Sequence, residues 1–124
     1  MESLQNVVNK LNNKNNALIL GDFLDDIRHC HNLNQLNKKY FDKRPIFPNI
    51  DKKHISYFVS VLHSLCNEFN MKVPEWIYDK KYILKDPYFA ANAKGNLRII
   101  LIAESPSEFR CRNIFVSNNA TRRV

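Results

Sequence analysis

Five imidazole and thiol side chains could build a metal site: His29-Cys30-His31, and His63 with Cys66 three residues further on. Four such ligands complete a tetrahedral zinc centre. The pattern argues against one. The chain holds no Cys-x-x-Cys pair, and Cys66 falls on an apolar helical stripe, where a free thiol behaves as a small hydrophobe. His29 and His31 fall near a helix end, where an imidazolium suits the dipole. Asp22, Asp25 and Asp26 are a second candidate, for a divalent cation. They read instead as acids on a solvated helix face, paired with Arg28 or a lysine. Glu104 stands beside Ser105 with no histidine near it in sequence. Nothing resembles a nucleophile elbow, a P-loop, a dinucleotide fingerprint or a zincin helix. The expectation is a non-enzymatic protein that needs neither metal nor cofactor.

Charge gives the stronger lead. The 124 residues carry 19 Lys and Arg against 12 Asp and Glu, a net charge of +7. Residues 1–50 hold seven basic and five acidic groups, and residues 51–89 hold six and five. Residues 90–124 hold six basic groups (Lys94, Arg98, Arg110, Arg112, Arg122 and Arg123) against Glu104 and Glu108. AT-rich coding would supply lysine, but this excess is mostly arginine, whose planar fork suits carboxylate or phosphate. Arg110, Arg112, Arg122 and Arg123 are therefore the candidate partner-binding residues. Arg110 and Arg112 flank Cys111 and point about 160° apart on a helical turn. One of them can pin the segment internally while the other projects. The bland alternative is that both are caps or ion pairs around a core of Phe109, Ile114, Phe115 and Val116.

These residues need elements to hold them. A chain of this length suits one domain, here residues 1–124. Three cysteines, Cys30, Cys66 and Cys111, form no close pair, which favours a reducing compartment. The start MESLQNVVNK is amphipathic rather than a signal peptide. The longest apolar run, residues 99–103, is too short to span a bilayer. A cytoplasmic, soluble protein is expected. Two glycines are too few for most all-β folds, so helices are favoured.

Apolar spacing predicts helices over residues 3–12, 16–30 and 52–70, the last N-capped by Asp51. It also predicts a short helix or turn over 34–41. Pro45 and Pro48 break the segment between. Residues 71–96, rich in aromatics, read as short helices wrapped over the core. Residues 97–103 suit a short strand as well as a helix. Ser105-Pro106-Ser107-Glu108 reads as a capping box with proline at the first helical position. Residues 114–116 read as extended. The fold class is mainly α, a compact single-domain helical bundle.

Beyond the residue types lies a closing pattern. It runs Pro74-x-Trp76, Asp86-Pro87-Tyr88-Phe89, Leu97-Arg98, then Glu104-Ser105-Pro106-x-x-Phe109-Arg110-x-Arg112-Asn113-Ile114-Phe115-Val116 and Arg123-Val124. It resembles a family of small bacterial helical proteins of uncharacterised activity that end in an ESPxxFRxRNIFV-type signature. That resemblance implies a partner protein: the antitoxin-like half of a pair with a nucleotidyltransferase-type toxin. A nucleic-acid binder using the arginine-rich end is the alternative. It is weakened because no helix-turn-helix spacing is legible.

Overall fold

The axis of the molecule is α3 (Lys52–Glu68), whose apolar residues recur every three or four positions. Phe58, Val59, Leu62, Leu65 and Cys66 on it are completely buried. The computed structural model describes residues 2–14, 16–90 and 93–121. The sequence places this helix well, but its end is decided by asparagine. Asn70 adopts a left-handed φ of 55°, the Met71 N–H reaches back to the Cys66 carbonyl, and the Asn70 N–H reaches Asn67. That is a Schellman closure with asparagine in the usual glycine position. At the other end Asp51 holds the N-cap place, but its carboxylate makes no cap bond. Its backbone carbonyl accepts from His54 instead.

Two N-terminal helices pack on this axis. Helix α1 (Leu4–Asn9) starts where the Ser3 hydroxyl accepts from the Asn6 N–H, and it buries Leu4, Val7 and Val8. Helix α2 (Asn16–Asn32) buries Phe23, Leu24 and Ile27. It ends in a second Schellman closure, with Asn34 at φ 57° and the Gln35 N–H bonded to the Cys30 carbonyl. Arg28, one of the partners expected for the aspartates of α2, makes its ion pair across elements. It crosses to α3 and grips Glu68 with both Nε (3.0 Å) and Nη2 (2.9 Å). Residues 34–41 form turns rather than a helix. The proline-broken loop after them is pinned by Gln5, whose side chain both donates to and accepts from the Ile46 backbone at 2.8 Å.

The rest of the chain wraps the far side of α3. Two 3₁₀ turns (Glu75–Tyr78 and Lys80–Tyr82) bury Ile77 and Tyr82. Strand β1 (Tyr88–Phe89) lies parallel to β2 (Ile114–Phe115), with Tyr88 opposite Ile114. The extended reading of 114–116 holds, while β1 replaces part of the expected short helices. Residues 97–103 are helical: α4 (Asn96–Glu104) continues through them. A strand there would leave its backbone groups without a second strand, whereas a helix satisfies them internally. A four-residue helix, α5 (Ser107–Arg110), leads into β2. The architecture is mainly α, built around one core cluster from α1, α2, α3, the 3₁₀ turns, α5 and β2.

Leu62 is fully enclosed at the centre of that cluster. Leu62→Ala is expected to lower the unfolding free energy by about 2–5 kcal/mol. Urea denaturation measures this, and an unchanged midpoint would remove α3 from the role of axis.

Candidate functional site

The C-terminal segment, residues 104–116, is organised by two buried polar groups rather than by a capping box. The Ser105 hydroxyl does not cap α5. It accepts from the Val116 N–H at 2.7 Å and donates to the Val116 carbonyl at 3.0 Å. The local signal lost to a tertiary one. Ser105 is buried (1% exposed), and the buried Val116 backbone would otherwise lack both partners. The Pro106 carbonyl accepts the first helical bonds, from Phe109 and Arg110, so Pro106 is the N-cap of α5. Glu108 turns outward to Asn67 and Ser107.

The two arginines divide as the helical geometry allows. Arg112 is the internal one, 3% exposed. Its Nη1 donates to the Glu108 carbonyl (2.6 Å) and its Nη2 to the Ile77 carbonyl (2.8 Å). Nη1 also faces His63 Nδ1 at 3.1 Å. A guanidinium only donates, so Nδ1 is the acceptor and the His63 proton sits on Nε2. Burial lowers the Arg112 pKa, with Cys111, Tyr78 and Glu108 acting the other way. Burial and the adjacent Arg112 lower the His63 pKa too, with Glu108 opposing. As a partner-binding residue Arg112 is therefore corrected: its fork is consumed inside the domain. Arg110 is exposed, and its Nη2 donates to the Ser105 carbonyl at the C-terminal end of α4 (2.6 Å). A cation suits that end of the dipole. Arg122 and Arg123 lie outside the described residues. Arg110 and Arg112 thus do not share one surface.

The same folding places an apolar surface that charge reading passes over. Helix α4 exposes Leu97 (45%), Ile99 (65%), Ile100 (50%) and Ile102 (46%). At about 100° per residue these four span about 220° of the helix circumference. Only Leu101 is buried, and α4 adds no side chain to the main core cluster. A helix apolar nearly all round is ordinarily enclosed. Its mount is firm. Gly95 precedes it at φ 57°, ψ −130°, a conformation kept for glycine. Arg98 ties its first turn down by donating to the Ala93 carbonyl (2.8 Å) and lying 4.6 Å over the Phe89 ring. Ser105 and Arg110 hold its other end. The signal was present in sequence as five large aliphatics within six residues, between a glycine and a proline.

Among the described residues, no group of three or more His, Cys, Asp or Glu side chains is placed to hold a metal ion. Cys66 is in the core, where burial pushes its thiol up to about 11, and His31 stacks on Phe69 at 4.1 Å. No described helix is long and apolar enough to cross a membrane. No family model, curated protein or solved structure matches this chain.

Two outcomes follow for the buried arginine. Arg112→Lys strands the Ile77 or Glu108 carbonyl and is expected to cost about 2–4 kcal/mol, while Arg110→Ala costs less than about 1. Paired denaturation curves test the contrast, and equal losses contradict it.

The second outcome is a pH dependence. His63 has a lowered folded pKa, so between that value and the unfolded value of about 6.5 the unfolded chain binds more protons. Stability is full above about pH 6.5 and falls as the solution is acidified through it. His54, whose pKa is also lowered, has the same sign. His63→Asn is therefore expected to flatten the melting-temperature slope over roughly pH 5.5–7 without abolishing it. A slope identical to wild type would separate His63 from this behaviour.

Proposed function

We propose that this chain is a non-enzymatic regulatory module that docks α4 into an apolar groove on a partner protein. The observation that carries this reading is the aliphatic face of α4, exposed on a braced helix. Amphipathic helices commonly enter hydrophobic grooves through such side chains. Here the apolar arc is too wide for one flat contact and suits a concave one.

Charge supports the choice of partner. Lys94, Arg98 and Arg110 are exposed around α4, against Glu104 alone among its own acids. With a net charge of +7, an acid-rimmed groove is the complementary surface. A second copy of the chain would bring like charge to like. The resemblance of residues 104–116 to the ESPxxFRxRNIFV signature extends the proposal to a co-encoded nucleotidyltransferase-type toxin, with this chain as the antitoxin-like half.

The test is calorimetry of wild type, Ile99→Asp and Arg110→Glu against the protein encoded beside this chain, with duplex DNA in parallel. Ile99→Asp is expected to weaken protein binding by about 30-fold or more, about 2 kcal/mol, with an unchanged melting temperature. Arg110→Glu should weaken it less and mostly by slowing association. Tight, salt-dependent DNA binding that both variants retain would transfer the function to nucleic acid. Sedimentation as a dimer that Ile99→Asp dissolves would make a second copy the occupant.

A further inference from the structure

A second feature lies away from α4, between the start of α2 and the first turns of α3. It is a cavity of about 360 Å³, within the size range of small-molecule sites. Leu20, Leu24 and Val61 line its apolar part, and Gly21 contributes no side chain to fill it. Tyr57 and Tyr88 also line it. Desolvation, with Tyr88 nearby, raises the Tyr57 pKa.

The charged side chains that line this cavity are basic, with Asp51 acting on His54 from just outside it. Lys14, Lys53 and His54 line it, and no carboxylate of the described residues does. Neither lysine has an ion-pair partner among the described residues. Lys53 Nζ stands 5.7 Å from the centroid of the Tyr88 ring. Lys53 and His54 occupy the first turn of α3, where the 17-residue helix adds its own positive end. The Asp51 carboxylate makes no cap bond that would occupy that end.

We propose that this cavity binds a small organic anion, with its acidic head at Lys14 and Lys53 and its apolar body against Leu20, Leu24 and Val61. The two phenols supply donors to oxygen atoms of the ligand. The site is separate from α4, so it stands whether or not α4 docks a partner. It offers a place where a metabolite of this chemistry stabilises the α2–α3 packing on binding.

Phenyl phosphate is the probe, with inorganic phosphate supplying the head alone and benzyl alcohol the body alone. Each is titrated into ¹⁵N-labelled full-length protein and followed by amide shifts. Phenyl phosphate is expected to saturate, moving amides of residues 17–24 and 53–61, and to bind more tightly than either fragment. Lys53→Glu should weaken it by about tenfold. Ala17→Trp, which fills the cavity from an exposed lining position, should abolish it. Both variants should melt like wild type, and Ile99→Asp should bind phenyl phosphate normally. Three results overturn the proposal: no saturable shifts, fragments that bind as well as the whole probe, or binding that survives Ala17→Trp in a folded protein.

Discussion

A guanidinium with no ion pair among the described residues sits where α3, α5 and the first 3₁₀ turn meet. Arg112 is charged and almost wholly out of water, and removing a charge from water is costly unless its donors are satisfied. The neutral acceptors that satisfy it come from three separate elements: the Ile77 carbonyl, the Glu108 carbonyl and His63 Nδ1. None can move without stranding a donor, so the three elements are fixed relative to one another. The constraint then passes along the backbone. The Arg112 carbonyl accepts from Leu84, and the Asn113 carbonyl accepts from Tyr88, which brings β1 beside β2. Asn113 turns the chain there at φ 66° and sends its side chain to the Leu84 carbonyl (3.2 Å).

This arrangement changes the meaning of the arginine-rich ending. Within Glu104–Val116, Ser105 clamps Val116, Phe109 and Ile114 are completely buried, Arg112 joins three elements and Asn113 makes the turn. These are architectural tasks. Their combined effect is to brace the C-terminal end of α4, while Gly95 and Arg98 brace its start. The helix gives little back to the core, since Leu101 alone is buried on it. The fold thus holds this helix with several buried polar contacts while its aliphatics stay in water, and the proposed docking rests on that contrast.

Asparagine takes the role that scarce glycine leaves open. With only two glycines in the chain, the described non-glycine residues with positive φ are Asn34, Asn70 and Asn113. Asparagine tolerates the left-handed region better than other side chains, because its amide bonds locally. Two of the three end the long helices α2 and α3. The asparagine richness of the chain thus has a structural use at these three sites.

Much of this fold was legible in the sequence, because helix formation follows a local period. The stripe of α3, the face of α2 and the extended Ile114–Phe115 all come from spacing that a chain carries within a few residues. The split between Arg110 and Arg112 was legible as well, since two positions on one helical turn point to opposite sides; which of them is internal was not. Residues 97–103 stayed undecided because a short aliphatic run satisfies both periods. Ser105 misled, because a serine followed three residues later by glutamate has the form of a capping box whether or not its hydroxyl is needed elsewhere. What the tertiary structure decided are the partners of polar groups far apart in sequence: Ser105 with Val116, Arg112 with Ile77 and His63, Arg28 with Glu68. No local rule sets these, because the cost of a buried unpaired donor is known only when the chain has closed around it.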